Sequence, residues 1–355
     1  MTRSVIPSPS TTLRAGSESR NPLHYHEQIL NKGFLHAPFG LGRNDIKNTM
    51  PTKIAFFGTH EFGVKILEAS ANDPRFSVDL VVTQPDKPAG RKQLLTPSPV
   101  KIAAEKLGIR IEQPETLKNF HFEKDTFDVA ITAQYGLLIP SHLFTETKHG
   151  FVNVHTSILP KYRGASPIQS ALINGETETG VTIMIMDAGM DTGPILSQEK
   201  ININPDETYP ELDERLASVG SQLLLETLPD YLNGKITPQT QDESRVTICK
   251  KLSRDDGRID WNKNTEEIYN LYRGTTPWPG IWTTLDDARV KLIEIKPGIK
   301  KLEPGLISCE EDDISVGTAN GSIRIIKIQF EGKQALDVNA CLAGYWLTLD
   351  KQKFV

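Results

Sequence analysis

The sequence predicts an α/β fold, in which a doubly wound, mostly parallel sheet is followed by a smaller C-terminal β-barrel. From Lys53 onwards, short apolar runs alternate with helical patterns, which is typical of a parallel sheet. Near Gly234 this alternation gives way to short alternating runs broken by Pro and Gly. The chain has 355 residues, of which 38% are hydrophobic and 24% charged, so it is long enough for two domains.

Charge and cysteine content exclude several classes of protein. The net charge of −5 rules out a uniformly basic nucleic-acid coat, although a local basic patch remains possible. No run approaches the roughly 18 apolar residues of a membrane span, so we expect no membrane partner. The three cysteines (Cys249, Cys309 and Cys341) are widely spaced and form neither a disulfide framework nor a zinc motif. We therefore expect a cytoplasmic protein.

Residues 1–49 differ from the rest of the chain. They contain a Ser/Thr run, no clear apolar period, and six basic against three acidic residues, a balance of +3. Such a segment is a disordered tail, an over-called start with Met50 as the true initiator, or an organellar transit peptide. A strand begins immediately after Met50, which favours the first two interpretations; the third would place the protein in an organelle.

Residues 50–234 are predicted to form the catalytic domain. Their strands and helices alternate, and in such sheets the ligand crevice lies beyond the carboxyl ends of the strands. A loop at 84–99 carries four prolines. The predicted strands are 54–57, 78–83, 128–133, 151–155 and 181–186, and the predicted helices are 62–69, 100–107, 166–174 and 209–233.

A polar linker, residues 235–254, leads to the second domain, residues 255–355. One helix is predicted at 265–273. The remaining runs are short and alternating, and they indicate a barrel of the oligonucleotide-binding type. The predicted strands of this domain are 282–285, 290–295, 305–308, 315–318 and 322–330.

The densest polar segment follows Phe151. Residues two apart in a strand point to the same face, so Asn153 and His155 should project together at the ligand edge. An amide beside an imidazole suits the stabilisation of negative charge on a carbonyl oxygen. The alternative is a histidine that caps a turn. His155 has no His or Cys partner at ligand spacing, so no metal is expected.

A second polar segment follows the strand at 181–186. Its glycine-bracketed loop carries Asp187 and Asp191, and a carboxylate here could orient His155 or take a proton. Taken alone, the loop is an ordinary acidic turn. At the edge where Asn153 and His155 lie, a catalytic role is favoured. A dinucleotide site is disfavoured, because Gly58 lacks the glycine pattern that follows the first strand of such sites.

The loop after the second strand is the candidate phosphate-binding element. Lys87, Arg91 and Lys92 follow one another closely there, beside the predicted ligand edge. The loop is either a solvated charged segment or an arm that grasps phosphates, and the residues alone do not choose between them.

Several motifs carry a resemblance that covers Met50 to about the C-terminus. They are Gln84-Pro-Asp-Lys-Pro-Ala-Gly-Arg, Pro97-Ser-Pro-Val-Lys, Tyr135-Gly-Leu-Leu-Ile-Pro, Asn153-Val-His-Thr-Ser-Ile-Leu-Pro, Arg163-Gly-Ala-Ser-Pro-Ile, Met186-Asp-Ala-Gly-Met-Asp-Thr-Gly, Arg258-Ile-Asp-Trp and Pro277-Trp-Pro-Gly. Together they resemble the methionyl-tRNA formyltransferases, within the folate-dependent formyltransferase family. The Asn-x-His…Asp set identifies only the chemistry, whereas the 84–101 insertion and the C-terminal module point to a tRNA substrate.

The resemblance implies a reaction used in translation initiation. The formyl donor is 10-formyltetrahydrofolate, and the acceptor is the α-amino group of methionine on initiator tRNA. Asn153, His155 and Asp191 match the catalytic trio. Arg91 matches the basic residue that engages the acceptor end of the tRNA, and Lys87 and Lys92 flank it. The protein is expected to be a monomer.

The resemblance also implies a folate pocket built from two segments. One is the turn after His155 and the other follows the strand at 128–133. The residues that match are Ser157, Ile158, Leu159, Pro160, Tyr135, Gly136, Leu137, Leu138 and Ile139.

The chain departs from the family pattern at three places. His60 replaces a proline, Ser166 replaces an alanine, and Gln93 and Leu94 stand where lysines usually follow the loop arginine. The last change bears on the strength of the loop–tRNA contact and not on the chemistry. Two other functions remain open: a formyltransferase acting on a sugar nucleotide or small amine, and a catalytically silent RNA-binding protein. The intact trio argues against the second.

Overall fold

The computed structural model describes residues 50–90, 93–123 and 126–355, and Met50–Val355 form one compact unit. The predictions for residues 1–49, Arg91 and Lys92 lie outside the described residues. The strands are β1 (Thr52–Gly58), β2 (Phe76–Val82), β3 (Lys87–Ala89), β4 (Leu94–Thr96), β5 (Arg110–Glu112), β6 (Val129–Ala133), β7 (Phe151–His155), β8 (Arg163–Gly164), β9 (Glu178–Ile185), β10 (Ile195–Asn202), β11 (Ile248–Cys249), β12 (Ile281–Leu285), β13 (Ala288–Gly298), β14 (Ile307–Glu310), β15 (Asp313–Gly317), β16 (Ser322–Phe330) and β17 (Leu336–Asp337). The helices are α1 (Glu61–Asn72), α2 (Pro99–Leu107), α3 (Pro167–Ile173), α4 (Tyr209–Leu232), α5 (Thr265–Thr275) and α6 (Val338–Leu349).

Seven strands form the main sheet, in the order β10-β9-β7-β6-β1-β2-β5. The five strands from β7 to β5 run parallel, whereas β9 runs antiparallel to both of its neighbours, β7 and the edge strand β10. The predicted mostly parallel sheet is therefore confirmed. The strand order reverses between β1 and β6, and ligand crevices in such sheets form beyond the carboxyl ends of strands at this reversal.

The two faces of the sheet are covered differently. On one face, alternate strand residues such as Ile54 and Phe56 join the buried residues of α1 to α4 in one apolar cluster. On the other face, Ala55 and Phe57 pack against aromatic and aliphatic side chains from the irregular chain at 117–151 and its short 3₁₀ helix, Ser141–Thr145. The four helices thus lie on one face, and loops cover the face opposite.

Several elements of this domain were not predicted: the short strands β5 and β8, a hairpin and an edge strand. The segment at 84–99 contains a small hairpin, β3 with β4, where a continuous loop was predicted. Strand β10 was not predicted, because it lies at the sheet edge and carries exposed polar residues such as Glu199 and Lys200. Its apolar alternation is therefore too weak to detect in the sequence.

The second domain is an antiparallel sheet in the order β12-β13-β16-β15-β14, with β17 added to β16. The end of the chain closes it. Val355 exchanges backbone hydrogen bonds of 3.0 and 3.1 Å with Thr284 of β12, and the Phe354 N–H donates to the Gly305 carbonyl, 2.9 Å away, just before β14. The last residues thus bridge the two edge strands, β12 and β14, and close the sheet into the predicted barrel.

Helices α5 and α6 pack against the core of the barrel. Helix α5 was predicted, and its N-terminus carries a capping box in which Asn264 and Glu267 each bond the other's backbone N–H. Helix α6 was not predicted, because apolar residues occur on all its sides and leave no helical period in the sequence.

Helix α5 also connects the two domains. The buried Arg273 guanidinium donates to the Glu207 carbonyl at 3.2 Å, and the Tyr269 hydroxyl donates to the Asp206 carboxylate at 3.0 Å. A buried cation that hydrogen-bonds across the boundary favours one mutual orientation of the domains, because separating them would leave its Nη1 without an acceptor.

Asp213 on α4 should make stability depend on pH. Burial raises the pKa of its carboxyl to about 6, from the ordinary value of 3.8, despite an opposing hydrogen bond from Gln134. Between these values the folded state binds more protons than the unfolded state, so this group lowers stability as pH rises to about 6. We expect Asp213→Asn to raise the free energy of unfolding at pH 7 by up to about 3 kcal/mol.

Urea unfolding at pH 4 and pH 7 tests this expectation. The gain from Asp213→Asn should be much smaller at pH 4, where the wild-type carboxyl is largely protonated in the folded state. Asp230→Asn, on the same helix with a half-exposed side chain, is the matched control and should show a small effect at both pH values. An equal gain from Asp213→Asn at both pH values would contradict the assigned shift.

Candidate active site

Strand β7 presents Asn153 and His155 at its carboxyl end. His155 is buried, and its Nε2 lies 3.1 Å from the Tyr162 carbonyl oxygen. Because a carbonyl only accepts, Nε2 carries the hydrogen of this bond. The other ring nitrogen, Nδ1, faces the Asp191 carboxylate at 3.6 Å. Both ring nitrogens therefore face acceptors, an arrangement that accommodates the protonated imidazole.

Asp191 lies between the two β7 side chains and the backbone of β8. Its Oδ1 is 3.4 Å from the Asn153 amide nitrogen, and its Oδ2 accepts a 2.9 Å hydrogen bond from the Gly164 N–H. The three predicted catalytic side chains are thus brought together at the sheet edge. The Asn153 amide nitrogen carries two hydrogens, so it can hold Asp191 with one and offer the other to a ligand.

The other carboxylate of this loop has a local role. Asp187 Oδ1 accepts hydrogen bonds from the Gly189 N–H at 3.0 Å and from the Thr192 hydroxyl at 2.6 Å. These bonds close the turn that leads to Asp191. Of the two acidic residues that the sequence offered, only Asp191 lies beside His155.

The turn after His155 is fixed by hydrogen bonds to its backbone. Thr182 Oγ1 donates to the Ser157 carbonyl at 2.6 Å and accepts from the Leu159 N–H at 3.2 Å. The Ser157 hydroxyl is buried and donates to the Lys161 carbonyl. Leu159 and Pro160 are also buried, and Ile158 is the half-buried member of the predicted folate-contacting turn.

The second predicted folate segment begins at the end of β6. The Tyr135 ring is buried against Phe57, and burial raises the pKa of its hydroxyl to about 12. Its carbonyl accepts from Thr59 Oγ1 at 2.8 Å and from Gln84 Nε2 at 2.7 Å. The accessible surface of this segment comes from Gly136, which has a φ of +81°, and from Leu138, which is 87% exposed. Leu137 is half-buried and Ile139 is buried.

Of the predicted tRNA-binding residues, Lys87 falls within the described part of the chain. It is exposed on β3, and its ammonium donates to the Gln84 side chain, so it lies next to the Tyr135 segment. The facing strand β4 exposes Leu94 and Leu95. The hairpin therefore presents apolar as well as basic side chains beside the candidate folate pocket.

The predicted linker contributes directly to this site. Strand β11 pairs with β8, so residues 248–249 extend the backbone that holds Asp191. The buried Gln241 side chain reaches the carbonyl oxygens of Asp191 and Gly193. Sequence reasoning missed Gly164 and Gln241. Their roles depend on contacts between segments about 30 to 80 residues apart, for which the motif spacing carries no signal.

Neither nucleophile beside the site is activated. Ser157 donates to a carbonyl, and the Cys249 thiol contacts the Tyr162 carbonyl at 3.5 Å while burial raises its pKa. Covalent catalysis at either residue would need an adjacent base. The fold, with this cluster of amide, imidazole and carboxylate at the sheet edge, is that of a group-transfer enzyme.

Comparisons with known proteins identify the group of enzymes. Residues 52–228 match the family "Formyl transferase" and residues 251–345 match "Formyl transferase, C-terminal domain". The chain is 43% identical over 299 residues to a methionyl-tRNA formyltransferase of Thermodesulfovibrio yellowstonii, covering 83% of this chain and 96% of that protein. It is 41% identical over 307 residues to the enzyme of that name from Listeria monocytogenes, covering 84% and 98%. The chain belongs to the methionyl-tRNA formyltransferase family.

Solved structures with the same fold include two formyltransferases. One is WlaRD, a sugar 3N-formyl transferase, with a TM-score of 0.61 and 20% identity over 81% of this chain and 100% of that one. The other is an N-formyltransferase of Helicobacter canadensis, with a TM-score of 0.60 and 21% identity over 78% and 99%. These similarities establish the fold. Among the described residues, no helix is long and apolar enough to cross a membrane.

Proposed function

We propose that this protein transfers the formyl group of 10-formyltetrahydrofolate to the α-amino group of methionine on initiator tRNA, for translation initiation. The observation that carries the proposal is the 43% identity to a methionyl-tRNA formyltransferase along 96% of its length. This match covers 83% of the chain, so it runs through the catalytic domain and into the second domain. A cytoplasmic location and a monomeric state remain predictions.

The site supports direct attack of the amine on the formyl carbon. A free α-amino group has a pKa near 7.7–8.0, so an appreciable fraction is unprotonated at neutral pH. Attack places negative charge on the formyl oxygen, and an Asn153 amide hydrogen is available to bind it. His155 Nδ1 lies 3.6 Å from Asp191, so a proton can pass between the imidazole and the carboxylate. Asp191 stabilises the charged imidazole and can relay the proton that the amine loses.

The folate donor would contact the backbone of the predicted pocket residues as much as their side chains. Ser157, Leu159, Pro160 and the Tyr135 ring are buried, so their predicted contacts would be made through the peptide groups that they position. Ile158 and Leu138 supply the more accessible apolar surface. The predicted folate residues thus support a pocket with a rigid backbone frame.

The outer face of the barrel supports binding of the tRNA backbone. Lys291 and Lys296 are exposed on β13, and Lys296 lies opposite Arg324 in the register with β16. Lys327 follows on the same strand opposite Glu294, and Arg324 pairs with Asp313 at 2.8 Å. We call these four residues the basic stripe. Residues 255–355 carry 13 basic and 16 acidic residues, a net −3, so binding would depend on this local cluster.

We expect the double substitution Lys291→Glu/Lys296→Glu to raise the KM for tRNA at least about tenfold, because it replaces two phosphate-binding charges with repulsive ones. The KM for the folate donor should stay unchanged. Steady-state formylation at several salt concentrations measures both effects. Lys106→Glu, an exposed charge reversal on α2, is the control. An unchanged KM for tRNA in the double variant would remove the basic stripe from the interface.

The proposed reaction is tested by incubating purified protein with 10-formyltetrahydrofolate and charged initiator tRNA, and measuring formyl-methionine. An amino sugar nucleotide in place of the tRNA tests the alternative that the WlaRD and Helicobacter canadensis folds suggest. Formylation of the tRNA alone supports the proposal. Formylation of the sugar alone would replace it, and no formylation of either would favour the silent RNA-binding alternative.

A further inference from the structure

We infer that Gln241 is a positioning residue for the transfer reaction, acting through Asp191. The inference rests on the proposed function. Gln241 lies in the segment between the two domains, outside all the catalytic motifs, yet its side chain is 5% exposed. A buried amide needs partners for both its oxygen and its nitrogen, and the identity of those partners shows what the residue holds in place.

The nitrogen of this amide holds the loop that carries Asp191. Gln241 Nε2 donates to the Asp191 carbonyl at 2.8 Å and to the Gly193 carbonyl at 2.7 Å. Asp191 has a φ of +54°, a left-handed conformation that a non-glycine residue adopts only at a cost in free energy. Two hydrogen bonds to the backbone on either side of Thr192 oppose relaxation of that conformation. Such relaxation would move the carboxylate away from His155.

The oxygen of the same amide accepts from a buried cation. Gln241 Oε1 receives hydrogen bonds from Arg163 Nε at 3.0 Å and Nη2 at 2.9 Å, and Arg163 is 3% exposed. Arg163 in turn pairs with Glu243 at 2.7 Å. Arg163 is adjacent to Gly164, whose N–H binds the Asp191 side chain. Gln241 therefore links the backbone of Asp191 to the strand that holds its carboxylate.

Both sets of contacts hold the same residue, Asp191, in place. Gln241 fixes the Asp191 main chain, and Gly164, next to the arginine that Gln241 binds, fixes the Asp191 side chain. A distance of 3.6 Å between Asp191 and His155 leaves little tolerance, because small displacements of a catalytic group lower rates steeply. Gln241 touches no reacting atom, so its effect on the rate should pass entirely through Asp191.

The substitution Gln241→Glu tests the contacts of the amide nitrogen separately from those of the amide oxygen. A carboxylate of the same length still accepts from Arg163, but it cannot donate to the Asp191 and Gly193 carbonyls and repels them. We expect kcat for tRNA formylation to fall at least tenfold, with KM values for donor and tRNA within threefold of wild type. Gln239→Glu is the matched control, since it is the same change two residues away on an exposed side chain, and it should leave kcat unchanged.

A second measurement distinguishes positioning from a merely structural role. In an Asp191→Ala background, Gln241→Glu should lower the residual rate less than twofold, because the group through which it acts is already absent. A tenfold loss in that background as well would overturn the inference, as would wild-type kcat in Gln241→Glu. If Gln241→Glu fails to fold, Gln241→Asn makes the same comparison with an amide too short to reach both carbonyls. Wild-type protein that fails to formylate tRNA would refute the proposed function instead.

Discussion

Replacing Asn153, His155 or Asp191 singly with alanine is expected to lower kcat at least about 10²-fold. Asn153→Ala removes the amide available to the formyl oxygen, and His155→Ala removes the ring that Asp191 and the Tyr162 carbonyl hold in place. Asp191→Ala leaves the imidazole without its anionic partner. Steady-state formylation of charged tRNA measures each loss, and the KM for the folate donor should change far less than kcat.

The control for this series lies at the other end of the same strand. His149 precedes β7, and its ring packs edge-on against Tyr231 rather than against Asp191. His149→Ala should therefore keep kcat within a few-fold of wild type. Near-normal turnover in any one of the three alanine variants would remove that residue from the mechanism.

Gly164→Ala should abolish most activity by a different route. Gly164 has a φ of +123°, and a Cβ there would stand 2.1 Å from the Cys249 carbonyl oxygen. That contact is impossible without moving β8 away from β11, and the Gly164 N–H would move with it away from Asp191. We expect at least a 10²-fold loss of kcat and a loss of stability of about 3 kcal/mol, as for other strained or overpacked sites.

Thermal unfolding and formylation kinetics of the same sample measure both effects of Gly164→Ala. Gly344→Ala on α6 is the matched control, because a Cβ there meets no atom within 4 Å and its φ is not positive. That variant should retain its activity and gain slightly in stability from higher helix propensity. Full activity in Gly164→Ala would show that the β8–β11 pairing does not hold the catalytic carboxylate.

The sequence predicted the sheet and the trio because both depend on local patterns. Buried runs such as β1 and β6 mark the parallel strands, and polar residues directly after or within a strand mark its ligand edge. Asn153 and His155 share a strand, so their proximity follows from the two-residue period. The loop after β9 offered both Asp187 and Asp191, and the resemblance selected Asp191.

The supporting contacts could not be predicted in the same way. Strands β8 and β11 are two residues long each, too short for any periodicity, and they pair across a separation of 85 residues. Gln241 looks like one polar residue among many in a hydrophilic stretch. Its burial depends on Arg163, itself a residue type that is rarely buried, so composition suggests an exposed segment where the structure has a packed one.

The pairing of β11 with β8 limits how chimeric enzymes can be made. An exchange of C-terminal domains between relatives that joined the two parts at Gly234 would import a foreign Gln241 and a foreign β11 beside the Asp191 of the other parent. A junction placed after Leu252 keeps these partners from one parent. Evolution by domain shuffling meets the same restriction, so the stretch before Leu252 should be inherited with the catalytic domain rather than with the C-terminal domain.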